Sequence, residues 1–433
     1  MRSLLATLIT ASMLSPLAQG LSLEQSVATA IDTNPDIQQQ YARYQSVLND
    51  RRASKSDYLP QVSIYGGLGK EDTQYNSGQE FDTRLDRTEL GLSVSQMLFN
   101  GFRTQADVKR LSLEAESERL ALLSDAENLT LEVCRIYLEL LKADETVELS
   151  KRNVLDHQKV LDDVNERMTK GLSSRSDYAQ ISSRLATARA SLASAQNNQF
   201  DLQAEFYSQV GVAPRDMHPP RSDTSILPEN LQNVIDKALE IHPTVLESKA
   251  DIAAAEQEFR GAKSNYYPEV SLDFIANKND NIGGFEGADE DARLMLSFRY
   301  DLYQGGRDKA RADASGWRYQ EAVSIQRRTF KQIEEGAKLS WNARYFLSQQ
   351  VELYQENVDA ATAATAGYQE QFNLGRRSLL DVLDSKIELF LARRNYVSAK
   401  YDALLADYRL NNSMGVLLYS LRVGYPEQWQ DQD

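Results

Sequence analysis

Cysteine is all but missing: Cys134 is the only one in 433 residues, so no intrachain disulfide can form and stability must come from packing. Inside the apolar helical run Leu129–Leu141, a lone cysteine reads as a small buried hydrophobe rather than a reactive thiol. Histidine is nearly as scarce. His157, His218 and His242 lie far apart, which suggests neither a metal site nor a histidine-based catalytic group. No nucleophile–base pair and no phosphate loop takes their place, so the chain does not read as an enzyme and implies no cofactor. Basic charge is in deficit, with 48 Lys and Arg against 63 Asp and Glu for a net −15. Without a basic patch carrying interleaved aromatics, nucleic acid is not a partner. Beyond residue 20 there is no apolar run of roughly 18 residues, hence no transmembrane helix. Strands could still cross a membrane.

The start of the chain has its own pattern. Arg2, the apolar stretch from Leu4 to Leu14, then Pro16, Ala18 and Gly20 follow the plan of a secretory signal over residues 1–20, with the mature protein expected from Leu21. No cysteine follows that site, which argues against an N-terminal lipid anchor.

Proline is sparse in a way that maps the rest. After Pro60 the next is Pro214, and after Pro268 the next is Pro426. Between Phe102 and Lys170 there is not even a glycine, and Leu, Ala, Glu, Arg and Ser dominate. One unbroken helix is predicted over 103–169, with a counterpart over 307–373, each roughly 100 Å long at 1.5 Å per residue. Helices of that length need partners along their whole course. Leu111, Ala115, Leu122 and Leu129, with Val133, Ile136, Leu140 and Val147, recur at coiled-coil spacing in the first. Small residues such as those of Ala360–Ala366 permit close helix approach in the second. Each long helix ends at a glycine, Gly171 or Gly375, where a left-handed cap is cheap. Return helices follow over about 176–209 and 378–413.

These landmarks occur twice. Asn34-Pro35 and Tyr58-Leu59-Pro60 return as His242-Pro243 and Tyr266-Tyr267-Pro268, 208 residues later (242 − 34). Gly101, Gly171, Asp177 and Gly211 return as Gly305, Gly375, Asp381 and Gly415 at an offset of 204 (305 − 101). The chain is a tandem duplication with a four-residue deletion between the Tyr-x-Pro and Gly-x-Arg landmarks. Repeat 1 spans 21–211 and repeat 2 spans 230–415, each read as helix, hairpin, long helix and return helix. A proline-rich linker over 212–229 joins them, and the tail 416–433 has no interpretable pattern.

Between Tyr-x-Pro and Gly-x-Arg the hydrophobic period changes from 3.6 to 2. Val62, Ile64 and Leu68, then Leu90, Leu92 and Val94, alternate with polar residues in a hairpin over about 61–99. Val270, Leu272 and Phe274 pair with Leu294, Leu296 and Phe298 in a second over about 269–303, opposite Arg293, Ser297 and Arg299. Spans of about nine residues with one apolar face match membrane-crossing strands, with two soluble hairpins of one buried face as the lesser alternative. Four strands cannot close in lipid, so a membrane reading requires several copies. Twelve strands from three protomers is the smallest assembly expected to leave a lumen. Asn277–Gly283 only faintly suggests a calcium loop, since Ala288 stands where a bidentate glutamate belongs.

The order of elements, the duplication, Asn34-Pro35, the Tyr-x-Pro approach to each hairpin, Leu98-Phe99-Asn100-Gly101 and above all Gly375-Arg376-Arg377-Ser378-Leu379-Leu380-Asp381-Val382-Leu383-Asp384 resemble the outer-membrane efflux protein family typified by TolC. The resemblance covers about 23–415. It implies a mainly α fold with a membrane β-barrel portion: a homotrimer with a twelve-stranded barrel in outer-membrane lipid and a helical tunnel in the periplasm. It also implies docking on a periplasmic adaptor and an inner-membrane ABC transporter or RND pump. Carried over by position, Asp381 and Asp384 would form an acidic ring at the periplasmic entrance, and Arg377 a latch reaching Ser176 and Asp177. Phe372 stands where the family places a latch tyrosine, so that link lacks its hydroxyl. Capping boxes account equally well for Asp177 and Asp381, whereas Asp384 lies beyond the cap. The implied function is a passive exit duct, with type I protein secretion favoured over small-molecule efflux. A periplasmic coiled-coil scaffold or adhesin is the alternative from another class.

Overall fold

The computed structural model describes residues 20–77 and 79–430; apart from Gly20, the signal assigned to 1–20 lies outside the described residues. In chain order the elements are α1 (Leu23–Thr33), α2 (Pro35–Lys55), β1 (Gln61–Ser77), β2 (Gln79–Asn100), α3 (Arg103–Thr169), α4 (Arg175–Val210), α5 (Leu231–Ile241), α6 (Pro243–Ala262), β3 (Glu269–Asp280), β4 (Ala288–Arg299), α7 (Arg307–Asn373), α8 (Leu379–Ser413) and α9 (Leu417–Ser420). Helices α3 and α7 are each 67 residues long. The described residues divide into two compact units, one of 20–37, 126–234 and 336–425, the other of 38–125, 235–335 and 426–430.

Two short helices, α1 and α5, precede the helices expected before the hairpins. Ser22 opens α1 with a reciprocal capping box to Gln25, and α1 buries Leu23, Val27, Ala30 and Ile31. Asn34 then starts α2 by accepting the Asp36 N–H at 2.9 Å. In the other unit His242 Nδ1 does the same for Thr244 at 3.2 Å at the head of α6. With proline at the first helical position no backbone donor is wasted.

The unit that holds the strands contains one antiparallel sheet in the order β1-β2-β3-β4. Its register lays apolar residues in rows across all four strands: Val62, Val94, Phe274 and Leu294 in one, Ile64, Leu92, Ala276 and Ala292 in the next. The opposite face is polar and internally bonded. Asp273 accepts from Ser95 at 2.6 Å, Ser271 at 2.8 Å and Ser297 at 2.6 Å, while Asn277 links Tyr65 and Asp291. The apolar rows are bare in the protomer, Ile64 being 76% and Leu296 68% exposed. Outer strands β1 and β4 have no further strand beside them among the described residues.

The strands run past the nine or so residues expected, to 17 in β1 and 22 in β2, because cross-strand ion pairs continue the ladder beyond the apolar rows. Arg84–Asp72 at 2.8 Å and Lys278–Glu290 at 2.6 Å are two of them. In the other direction β4 stops at Arg299 rather than near 303. In the second repeat, which carries the four-residue deletion, β3 and β4 are 12 residues each.

At the helix end of the sheet, Phe99, Phe102 and Tyr267 meet edge to face, Phe99 and Phe102 at 5.2 Å and Phe102 and Tyr267 at 5.8 Å. Exposed Tyr58, Tyr266, Tyr300 and Tyr303 stand nearby in the chain, an aromatic fringe of the kind found at membrane boundaries. Gly101 turns the chain into α3 at φ +67°, and a Cβ there would collide with the Ser264 carbonyl oxygen. Gly101→Ala is therefore expected to cost at least about 2 kcal/mol, from left-handed strain plus a backbone clash. A lowered thermal midpoint of the purified protein checks this.

In the other unit the middle of α3 is the core, with Val133, Cys134, Ile136, Tyr137, Leu138 and Leu140 all buried. Polar ties hold α8 along it: Lys142–Asp402 at 3.1 Å, and Glu145 accepting from Lys400 at 2.7 Å and Tyr401 at 2.6 Å. The tail is part of this core. Glu127 of α3, 1% exposed, accepts the N–H groups of Leu417 at 2.9 Å and Leu418 at 3.3 Å and the Tyr425 hydroxyl at 3.3 Å. A buried carboxylate thus caps the short helix α9.

Candidate functional site

The candidate entrance is built at the two helix turns. Gly171 and Gly375 both sit at φ +73°. At the first turn the Leu172 N–H bonds the Arg167 carbonyl at 2.8 Å and the Gly171 N–H bonds Met168 at 3.0 Å. The second repeats this with Arg376 to Gln371 at 2.8 Å and Gly375 to Phe372 at 2.9 Å. Each is a Schellman turn, which satisfies the last carbonyls of a helix and needs a residue at positive φ. Leu172 and Leu374, at the turns, are 75% and 70% exposed.

Below the turns Val160, Val164, Ile181, Leu379 and Leu383 form a small core that ties α3, α4 and α8 together, with Leu161 and Phe372 packed against it. Phe372 has a second partner. The Arg167 guanidinium lies 4.7 Å from its ring centroid, a cation–π contact that keeps the α7 end on α3 without a hydroxyl.

Asp177 and Asp381 both close capping boxes. Asp177 accepts the Ser174 N–H at 2.9 Å and the Ser173 hydroxyl at 3.0 Å, and its own N–H bonds Ser174 Oγ at 3.1 Å. Asp381 accepts the Ser378 hydroxyl at 2.9 Å and N–H at 3.2 Å. These bonds favour the charged form: the Ser174 backbone holds the Asp177 carboxyl below its usual range, and the Ser378 hydroxyl does so for Asp381. Ser176, second in α4, is exposed.

Arg377 does not reach Ser176 or Asp177 within the protomer. Its Nε bonds Gln371 at 3.0 Å, its guanidinium lies 4.5 Å from the Tyr368 ring centroid, and Asp381 is 3.8 Å away. The short connection between α7 and α8 places all three partners closer than the other turn. Asp384 is engaged as well, in a 2.9 Å ion pair with Arg184 of α4. Arg184, Arg167, Tyr368 and Gln371 are the residues that sequence reasoning missed. Arg184 and Asp384 are 200 residues apart (384 − 184), and no helical spacing links them.

Among the described residues no cluster of His, Cys, Asp and Glu suits a metal ion, and no helix is long and apolar enough to cross a membrane. The two turns thus hold their charges in capping boxes, ion pairs and cation–π contacts.

The outer membrane efflux protein family profile matches residues 27–212 and 234–416. Outer membrane efflux protein BepC of Brucella suis biovar 1 is 25% identical over 84% of this chain and 78% of its own length. Outer membrane protein TolC of Vibrio cholerae is 22% identical over 96% of both. Among solved structures, a membrane protein from Pseudomonas aeruginosa superposes with a TM-score of 0.82 at 16% identity, covering 90% of each chain. Outer membrane protein VceC of Vibrio cholerae does so at 0.77 and 16%, covering 93% of this chain and 97% of its own. At those identities the superpositions establish the fold, while the family profile covers both repeats. A soluble scaffold is thereby set aside, and the chain belongs to the outer membrane efflux protein family, non-enzymatic transport channels of the outer membrane.

Proposed function

We propose that three copies of this chain close a twelve-stranded barrel and form a passive exit duct, fed by an inner-membrane pump through a periplasmic adaptor. The observation that carries this reading is the sheet, with one bare apolar face, one bonded polar face and two open edges. In hydrocarbon each unpaired backbone group costs several kcal/mol, so the edges of β1 and β4 must pair with other copies. Eight strands would enclose only side chains, whereas twelve leave a lumen lined by the polar face. The turn end is the periplasmic entrance. Asp381 and Asp384 supply its acidic ring, and Arg377, with Phe372, Ser176 and Asp177, belongs to the latch, which closes between neighbouring protomers. Exposed Leu172 and Leu374 offer the adaptor an apolar foothold.

The net charge of −15 and the polar sheet face support unfolded protein as cargo, passed on by an ABC transporter in type I secretion. Small-molecule efflux with an RND pump is the second reading, favoured by the names of relatives: an efflux protein, a pyoverdine export protein and a probable efflux pump protein. Planar-bilayer recording tests the duct itself. Purified protein should insert with a small, steady conductance that trivalent cations block from the helix side; absence of any conductance from folded trimer would refute it. A deletion strain separates the cargo readings, since loss of a secreted protein with unchanged drug susceptibility supports type I secretion and the reverse supports efflux.

A further inference from the structure

Where the sheet meets the helices, four arginines converge in the strand-bearing unit. Arg103 begins α3, Arg299 ends β4, Arg307 begins α7, and Arg311 lies one turn further on. They line a cavity of about 230 Å³ together with Glu269 and Asp301. Arg103 is fully engaged, bonding Ser264 Oγ at 3.0 Å, Asn265, and Glu269 at 3.6 Å. Asp301 accepts from Gln304 at 2.6 Å. The guanidinium groups of Arg299, Arg307 and Arg311 have no hydrogen-bond or ion-pair partner among the described residues. Glu269 stands opposite Arg299 in the strand register, yet its ion pair goes to Arg103. Four cations therefore face two carboxylates, in a chain where acids outnumber bases 63 to 48.

Helix electrostatics sharpens the anomaly. The start of a long helix carries about half a positive charge and ordinarily attracts acids. Here α3 has no acid in its first turn, and the one in α7, Asp308, accepts from Asn265 at 2.9 Å. Two helix N-termini and three unpaired guanidiniums thus lie together, while the carboxylates beside them, Glu269, Asp301 and Asp308, are engaged by Arg103, Gln304 and Asn265. The site also has a direction. Arg299 shares the polar strand face with Ser297 and Arg293, opposite Leu294, Leu296 and Phe298. If the apolar face meets lipid, Arg299 faces the lumen.

We propose that this pocket is an oxyanion-binding site lining the duct, which holds phosphate-type groups on passing cargo by the paired N–H donors of its arginines. The inference rests on the duct reading, and three copies would set nine such arginines around one level of the lumen.

Tripolyphosphate is the probe. Added to the purified wild-type channel in a planar bilayer, it should lower conductance, and Arg299→Gln/Arg307→Gln/Arg311→Gln should raise the half-blocking concentration about tenfold or more. The same variant should shift reversal potential towards cation selectivity. Replacement of the three by lysine, which keeps charge but loses the fork, should fall between. Arg311→Gln alone serves if the triple variant does not assemble, with a shift of about twofold to threefold. A conducting channel in which block is absent, or equal in wild type and variants, overturns the site and leaves the duct intact. No conductance from folded trimer overturns both. Native mass spectrometry separates the sources of phosphate: a phosphatidylglycerol retained by wild type, lost by the variant and accompanied by no tripolyphosphate block would make the site a lipid seat and overturn the cargo assignment.

Discussion

Glu127→Ala is expected to destabilise the helix-turn unit by roughly 2–5 kcal/mol and to free the chain beyond Leu417 for proteolysis. Two backbone donors, those of Leu417 and Leu418, lie buried against the Glu127 carboxylate, and truncation leaves both without a partner where water does not reach. Each such orphan costs about 1–3 kcal/mol. The Tyr425 hydroxyl would lose its acceptor too. Limited proteolysis with mass mapping and a urea midpoint measure the two effects. Glu127→Gln keeps one acceptor and should lose far less.

The same residue gives the protein a pH dependence of known sign. Burial pushes the Glu127 carboxyl up to about 7, against the pull of the Leu417 and Leu418 N–H bonds. Because the folded value lies above the unfolded one, the native state binds the extra proton between about 4.5 and 7, so stability falls as pH rises through that window. Two to three units correspond to something on the order of 3 kcal/mol. In Glu127→Gln this part of the slope should vanish, which urea midpoints at pH 5 to 8 would register.

The second large effect concerns the proposed entrance, where Asp381 and Asp384 separate. Asp381 is held by the cap of α8, so Asp381→Asn should cost about 0.5–1 kcal/mol of stability and weaken trivalent cation block only modestly. Asp384 is neutralised by Arg184, and with both groups partly exposed the pair contributes under about 1 kcal/mol to folding. Its effect on ions should be larger. Arg184→Gln strips one counter-charge per protomer and should tighten trivalent cation block about tenfold, whereas Asp384→Asn should relieve it and the double Asp381/Asp384 variant abolish it. Titration of block in single-channel recordings reads this order directly. Block unchanged by Arg184→Gln would place Asp384 off the ion path and leave the acids with capping roles alone.

Much of this was legible because it is local. A long run of strong helix formers without proline favours helix locally, as in α3, which has no glycine, and α7, which carries Gly316, Gly336 and Gly367. Positive φ at Gly171 and Gly375, and the boxes at Ser174 and Ser378, depend on a few adjacent residues. Period-two alternation marked all four strands, though not their ends, because ion pairs such as Lys278–Glu290 extend the ladder past the apolar rows. Helix α1 was missed despite its Ser22 and Gln25 signature, and α9 because four residues carry no period.

By itself, then, the sequence determined the duplication, the helical struts, the apolar strand faces and the kinship they imply, all properties of spacing within one segment. Tertiary structure alone decided which charges meet. Arg184 finds Asp384, Glu127 receives the tail, and Arg377 turns to Gln371 and Tyr368 rather than to Asp177. Such pairings fall off within a few ångströms and join residues up to 298 positions apart (425 − 127), so only the packed helices reveal them.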